Sequence, residues 1–469
     1  MANTNLKVAI IGGGPGGYGA AFLAADLGMQ VTLIDPEKNP GGVCLYRGCI
    51  PSKALLHVAA TIEEAKHVSN MGIDFGAPKI DLARLRTFKE NVVNKLTGGL
   101  GQIAKMRKVT YVQGTASFVN SNTLKVEKTA GGSENLTFDK IVIATGSRPA
   151  VIPTFPKSQR VWDSNGALNL TEIPKSLLVV GGGYIGLELG SVYAALGSKV
   201  SVVEMLSGLL PGADRDLVLP LHKRLEKQFE AIMVNTKVAS MKEEKNGVKV
   251  TFDGDVKEKE RTYDYVLVSV GRTPNSQVPG LENTKVQLEG KFIKINKQLQ
   301  TTDPSIYAIG DVAGEPMLAH KATHEGRAAV EHIAGHKVSF EPYAIPAVVF
   351  TDPEIAWAGL TQTQAEKEGR EVSIAKFPWA ASGRAVTLDR TEGVTKLIVD
   401  PKSERVLGIG LTGPGVGDMI AEGVLAIEMG ATAKDIELTI HPHPTLSETI
   451  MEAAEVFYGT STDVYRPKR

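Results

Sequence analysis

Slid along itself by 169 residues without a gap, the chain matches: Val8-Ala-Ile-Ile-Gly-Gly-Gly-Pro-Gly-Gly17 falls on Leu177-Leu-Val-Val-Gly-Gly-Gly-Tyr-Ile-Gly186. In each copy a short apolar run leads into G-x-G-x-x-G, with Gly12, Gly14 and Gly17 in the first and Gly181, Gly183 and Gly186 in the second. A helical stretch follows and ends in Leu-Gly, at Leu27-Gly28 and Leu196-Gly197. A second apolar run then closes on an acid, Asp35 or Glu204, each 23 residues after its first glycine. One such glycine signature is weak, because glycine clusters arise in many turns. Two complete strand, turn, helix, strand and acid units at one spacing are strong. Glycines let the backbone approach a pyrophosphate, the helix N-terminus offers free N–H groups and positive potential, and the acid takes ribose hydroxyls, so each unit predicts one dinucleotide.

Val8 to Ala25 carries no charge and follows Lys7, so it imitates a signal peptide or membrane anchor. Six glycines and Pro15 interrupt it, and no other segment is long and apolar enough to span a bilayer; the chain reads as soluble, with no membrane insertion. Lys plus Arg and Asp plus Glu balance at 52 each, which offers nucleic acid no excess of positive charge. A length of 469 residues exceeds one core and suggests about three domains.

The two cysteines, Cys44 and Cys49, lie in Gly41-Gly-Val-Cys-Leu-Tyr-Arg-Gly-Cys-Ile-Pro-Ser-Lys53, just after the first glycine unit. A crosslink here closes about six residues and removes only roughly 2 kcal/mol of unfolded-state entropy, so a working redox pair explains it better than a staple. Close spacing in an otherwise cysteine-free chain fits a cytosolic redox pair. Residues i and i+5 of an ideal helix stand about 8.5 Å apart at Cα, beyond the about 7 Å a disulfide tolerates. The spacing therefore predicts a bent helix start, loosened by Gly48 and kept from ordinary ladder bonds by Pro51.

Helical patterns cover 55–67 and 82–95, and a strand-rich stretch covers 108–140. Ile141-Val-Ile-Ala-Thr-Gly-Ser-Arg-Pro149 and Tyr265-Val-Leu-Val-Ser-Val-Gly-Arg-Thr-Pro274 read as buried strands ending where a chain can cross between domains. Thr301-Thr-Asp-Pro-Ser-Ile-Tyr-Ala-Ile-Gly-Asp311 is an apolar strand ending in Gly-Asp. Beyond about Pro342, strands at 347–350, 396–399 and 406–411 precede helices at 418–429 and 447–456, an α+β pattern.

Together with Ala144-Thr-Gly146, Gly181 to Glu188, Tyr307-Ala-Ile-Gly-Asp311, Met317-Leu-Ala-His320 and His441-Pro-His-Pro-Thr-Leu-Ser-Glu448, the first glycine run and the cysteine run resemble the pyridine nucleotide-disulfide oxidoreductase family over nearly the whole chain. The resemblance implies an α/β fold of two Rossmann-like dinucleotide-binding domains and a C-terminal α+β dimerisation domain. It places FAD on 1–149 with 273–341, NAD on 150–272, and the homodimer interface on 342–469. It casts Cys44 as the interchange thiol and Cys49 as the flavin-facing charge-transfer thiol, with Lys53 beside the flavin ring and Glu188 as its ion-pair partner. Asp35 is expected at the adenosine ribose and Asp311 near the ribityl chain. Gly42, Val43, Gly114, Thr145, Gly146, Met317, Leu318, Ala319 and His320 join Gly12, Gly14 and Gly17 in the implied FAD set. The implied NAD set is Gly181, Gly183, Tyr184, Ile185, Gly186, Glu188, Glu204, Val238, Gly271 and Arg272. No metal site is implied.

Thiol–disulfide exchange requires a thiolate, hence a base for the incoming dithiol. His443 is the candidate, oriented by Glu448 and, by the resemblance, reaching the cysteines of the other subunit. His441 reads as a plain loop residue. Glu204 suits the two ribose hydroxyls of NAD and repels the extra phosphate of NADP, and Met205-Leu206 supplies no arginine clamp. Two departures stand out. Tyr46-Arg47 replaces the Asn-Val common between the family's cysteines, and Arg47 is expected either to lower a thiol pKa or to face solvent. Tyr184 stands where many dihydrolipoyl-oxidising members carry a smaller aliphatic residue and glutathione reductases carry a tyrosine over the nicotinamide pocket.

The implied activity is oxidation of a protein-bound dihydrolipoyl group through Cys44–Cys49 and FAD, with NAD reduced, in the cytoplasm, for a 2-oxoacid dehydrogenase or glycine cleavage complex. A related disulfide reductase such as glutathione reductase, or a non-catalytic FAD- and NADH-binding scaffold, is the alternative. Mercuric reductases and large thioredoxin reductases use further C-terminal cysteines that this sequence does not contain.

Overall fold

The first strand, Lys7–Ile11, is buried along four of its five residues and pairs in parallel on both sides, with Gln30–Asp35 and Lys140–Ile143. Such continuous apolar runs suit a sheet covered on both faces rather than one with a wet side. In the computed structural model, which describes residues 5–465, this strand is central to a seven-stranded sheet. The parallel part runs Ile306–Ala308, Lys140–Ile143, Lys7–Ile11, Gln30–Asp35 and Thr110–Asn120. From Thr110–Asn120 it turns into an antiparallel meander with Thr123–Lys128 and Ser133–Thr137.

The repeat read from sequence extends to the topology. A five-stranded parallel sheet places Ser176–Val180 between Lys199–Val203 and Tyr265–Val268, flanked by Ala231–Met233 and Val161–Trp162. Its meander is Thr236–Glu244, Gly247–Gly254 and Glu260–Tyr263. The chain passes between the two sheets twice, and the two crossings, Ser147–Pro149 and Arg272–Pro274, pair with each other as antiparallel strands.

The expected helix break at Gly48 is present: Gly42–Arg47 and Cys49–His67 are separate helices, and Gly48 adopts a conformation that belongs to neither. Leu55, Leu56 and Ala59 of the longer helix join the apolar core of the second sheet with Leu187, Val192 and Trp162. Each buried leucine contributes about 1.5–3 kcal/mol, so the cysteine-bearing helix is anchored on the core of the second unit.

Two expectations need correction. The helical pattern at 82–95 continues to Met106, because Gly98, Gly99 and Gly101 lie inside the helix rather than ending it. At Gly101 a Cβ would stand 2.3 Å from Asn39 Oδ1, so close packing rather than a turn explains that glycine. In the C-terminal part the five-stranded antiparallel sheet includes Glu354–Gly359 and Ser373–Pro378, which the pattern did not indicate. Helices Val416–Glu428 and Glu448–Tyr458 pack against it, as expected of α+β. Among the described residues no helix is long and apolar enough to cross a membrane.

Candidate active site

A cavity of about 730 Å³ opens at the C-terminal ends of the first parallel strands, where ligands of open α/β sheets lie. Its walls include Gly12, Gly14, Gly17, Asp35, Gly42, Val43, Lys53, Gly114, Thr145, Gly146, Asp311, Met317 and Ala319. The second unit contributes Tyr184, Ile185, Glu188 and Arg272. Gly181, Gly183, Gly186, Glu204, Val238 and Gly271 lie outside this cavity, around the glycine turn, strand ends and crossover of the second unit. Two residues of the implied FAD set do not line it. Leu318 is the N-cap of the helix Ala319–Ile333, and His320 turns its Nε2 to the Pro346 carbonyl at 2.8 Å.

The two glycine turns have matching geometry. Gly12 and Gly181 take φ of +105° and +104°, and Gly14 and Gly183 are helix N-caps without side-chain capping bonds. A Cβ on Gly14 or Gly183 would meet nothing within 4 Å, whereas on Gly42 it would come 2.4 Å from Gly14 Cα. Each turn thus presents uncapped N–H groups to an open approach, the arrangement that accepts a pyrophosphate. The acids also match: Asp35 accepts from Gly13 N at 2.6 Å and Glu37 N at 2.9 Å, and Glu204 accepts from Gly182 N at 2.7 Å and Leu206 N at 2.8 Å. Both are buried and oriented by the turn they serve. Burial raises the Asp35 pKa, opposed by the Gly13 N–H and the Arg47 charge. Thr236 N donates to the Glu204 carbonyl at 3.0 Å, which starts the strand carrying Val238 beside that acid.

Cys44 and Cys49 line the cavity, Cys49 opening onto it, and both are free thiols. Their mutual interaction makes them differ in acidity. The interaction with Cys44 lowers the Cys49 pKa to about 7; burial opposes this, the Lys53 charge assists it and the Glu188 charge opposes it. The same interaction, with burial, raises the Cys44 pKa. Thiolate is therefore favoured on Cys49 over Cys44.

Lys53 Nζ meets Glu188 Oε2 at 2.8 Å, joining the cysteine helix to the second unit. Glu188, 3% exposed, also accepts from Phe350 N at 3.0 Å, and Lys53 Nζ stands 4.5 Å from the Phe350 ring centroid. Sequence reading did not include Phe350, the point where the C-terminal part touches this junction.

Arg47 is engaged away from the thiols. It pairs with Glu37, and Tyr46 Oη donates to the Asn39 carbonyl at 3.1 Å and accepts from Asn39 N at 3.2 Å. The pair enclosed by the cysteines thus fastens their short helix to the loop after Asp35. Alkylation of Cys49 in the reduced protein is expected to rise with pH through a midpoint near 7, because thiolate accumulates above a lowered pKa. Arg47→Asn is expected to leave that curve in place, and a displaced midpoint would show that the arginine charge reaches the sulfur.

His443 is not on the cavity of its own chain. Its side chain is 79% exposed, and its Nδ1 meets Glu448 Oε1 at 2.9 Å. Glu448 Oε2 accepts from Thr445 N at 2.6 Å, which fixes the carboxylate and leaves Nε2 as the outward nitrogen. His441 is more than a loop residue: its side chain, 5% exposed, meets Glu422 at 2.7 Å and the Thr439 carbonyl at 2.8 Å, and the Glu422 bond raises its pKa.

Comparison with known proteins gives this geometry a family. Residues 6–326 match the pyridine nucleotide-disulphide oxidoreductase model, and 345–454 match the dimerisation domain of the same family. A dihydrolipoyl dehydrogenase of Haemophilus influenzae is 49% identical over 464 residues, covering 98% of this chain and 97% of that protein. One from Geobacillus stearothermophilus is 47% identical, covering 96% of each. Among solved structures, LpdA from Mycobacterium tuberculosis superposes with a TM-score of 0.89 at 26% identity, covering 96% of this chain and 99% of that one. The HOCl-induced flavoprotein disulfide reductase RclA from Escherichia coli gives 0.86 at 30%, with coverage of 96% and 99%. A cavity walled by one glycine unit, an unlike thiol pair at its edge and a second glycine unit facing it are what such a family requires, and the chain belongs to the pyridine nucleotide-disulfide oxidoreductase family.

Proposed function

We propose that the chain oxidises a dihydrolipoyl group carried on another protein and passes the electrons to NAD. The observation that carries this reading is the thiol pair Cys44 and Cys49 at the wall of the cavity that also holds the Lys53–Glu188 pair, in a chain 49% identical to a dihydrolipoyl dehydrogenase. The first unit, 1–149 with 273–341, holds FAD; 150–272 holds NAD; 342–469 pairs two subunits. The FAD pyrophosphate rests on the Gly12 to Gly17 turn, with Asp35 at the adenosine ribose and Asp311 at the ribityl chain. NAD rests on the Gly181 to Gly186 turn with Glu204 at its ribose. Bound FAD supplies the two-electron acceptor between the thiols and NAD.

The exchange follows from the thiols. His443 of one subunit takes a proton from the dithiol, and the resulting thiolate attacks the Cys44 sulfur of the Cys44–Cys49 disulfide in the other. The new sulfur–sulfur bond joins substrate to Cys44, and Cys49 leaves as the thiolate that its lowered pKa favours. The second substrate thiol then attacks the mixed disulfide, releasing the cyclic disulfide and returning a proton to Cys44. Glu448 holds the His443 ring and stabilises its cation. Two electrons have moved from substrate to the pair. Tyr184, at the start of its helix, lines the cavity and would border a nicotinamide bound there; burial of its phenol pushes the pKa up to about 12, so it is neutral throughout the working pH range.

The protein works in the cytoplasm as a homodimer within a 2-oxoacid dehydrogenase or glycine cleavage complex. Addition of dihydrolipoamide and NAD to the FAD-loaded protein is expected to form NADH, and prior alkylation of Cys49 to abolish it. NADH formation that survives complete alkylation would remove the thiol pair from the reaction.

A further inference from the structure

One hydrogen-bonded chain crosses from the second unit to the first without using the thiols or the two ribose acids. It starts on the paired crossover strands. Arg272 Nε donates to Ser147 Oγ at 2.7 Å, and Arg272 Nη2 donates to the Ser147 carbonyl at 2.8 Å. Ser147 Oγ in turn donates to Asp311 Oδ2 at 2.5 Å. The hydroxyl is therefore engaged both ways, accepting from a guanidinium and donating to a carboxylate. Such charge-assisted bonds are roughly twice as strong as neutral ones, and Ser147 is 2% exposed, where water cannot replace them.

The loop carrying Asp311 is held from behind as well. Gly310 N donates to Glu325 Oε2 at 2.6 Å, Lys321 Nζ meets Glu325 Oε1 at 2.8 Å, and Lys321 also donates to the Gly314 carbonyl at 3.1 Å. With the backbone of that loop fixed, the remaining freedom of Asp311 is the rotation of its side chain, and the Ser147 hydroxyl is the group that restrains it. Asp311 and Arg272 both face the cavity.

We propose that Ser147 is a positioning residue for FAD: its hydroxyl sets the Asp311 carboxylate against the ribityl chain and takes its own orientation from Arg272 on the nicotinamide side. Arg272 thereby serves the flavin site as well as the nicotinamide. The proposal rests on the reading of the first cavity as the FAD site. Asn275 keeps the crossover strands together independently, through Asn275 N to the Gly146 carbonyl at 2.8 Å and Nδ2 to the Thr145 carbonyl at 2.9 Å.

Ser147→Thr and Ser147→Val add the same bulk, and only threonine keeps the hydroxyl. FAD dissociation constants of the apoproteins separate the roles. The valine variant is expected to bind FAD at least about tenfold more weakly than the threonine variant, as loss of a bond to a charged group requires. Arg272→Met is expected to weaken FAD at least about fivefold, and to add less than about twofold in the Ser147→Val background, because the two share one chain of contacts. Equal affinities for threonine and valine, or FAD affinity unchanged by Arg272→Met, would overturn the proposal. If both Ser147 variants fail to fold, the Arg272→Met measurement decides alone. Wild-type protein that fails to bind one FAD per chain would instead contradict the FAD reading itself.

Discussion

His443→Gln is expected to lower dihydrolipoamide-linked turnover about 10²- to 10⁴-fold, the range for losing a positioned general base, while FAD stays bound. Glutamine retains a hydrogen-bonding end for Glu448 Oε1 but cannot take a proton. The effect therefore falls on deprotonation of the dithiol rather than on the fold. NADH oxidation by an artificial one-electron acceptor, which needs no dithiol, is expected to continue within about twofold of wild type. Steady-state assays with both acceptors check this, and unchanged lipoamide turnover would remove His443 from the role. Because the side chain faces away from the cavity of its own chain, a mixed dimer sharpens the test. One subunit carrying His443→Gln and the other Cys44→Ala leaves one intact pairing across the interface, and about half the wild-type turnover per dimer is expected if the site is shared.

Cys44→Ala is expected to have the largest effect on exchange, at least about 10³-fold, because the sulfur attacked by substrate is gone. It carries a second signature that a general loss of structure would not. The interaction with Cys44 is the first cause of the low Cys49 pKa, so its removal moves the Cys49 titration up from about 7 toward the ordinary thiol range of about 8.5. The sign follows directly: with that partner gone, the thiolate forms only at higher pH, and alkylation at pH 7 slows. A Cys49 midpoint that stays at about 7 in Cys44→Ala would show that Lys53, 2.8 Å from Glu188 and assisting the same thiolate, dominates instead.

Much of this site was legible because its parts are local. Each glycine turn with its acid is a contiguous unit, and its physics does not depend on what lies elsewhere in the chain. The break at Gly48 followed from the cysteine spacing. Lys53 and Glu188 are 135 residues apart, so their contact came from resemblance, and the structure closes it at 2.8 Å. What sequence reading missed depends on direction or on distant neighbours. Leu318 and His320 follow Met317 in sequence, but on a helix start successive side chains point to different sides, and only Met317 and Ala319 reach the cavity. Arg47 lies between the sulfurs in sequence, yet Glu37 is its partner. Nothing in a serine between Gly146 and Arg148 shows that Asp311 and Arg272 will meet on Ser147. The strands Glu354–Gly359 and Ser373–Pro378 were masked by Pro353 before the one and Pro378 at the end of the other, and their hydrophobic faces are explained only once the sheet is assembled.

The most direct test compares two substrate pairs on the same preparation, dihydrolipoamide with NAD against glutathione disulfide with NADPH. Glu204 is buried and fixed by two backbone N–H groups, and Met205 and Leu206 beside it are exposed and uncharged, so nothing at this position compensates a ribose phosphate. The first pair is expected to exceed the second in kcat/KM by at least about 10³-fold, combining substrate and nucleotide discrimination. Comparable values, or preference for glutathione disulfide with NADPH, would contradict the account and assign the thiol pair to a different disulfide.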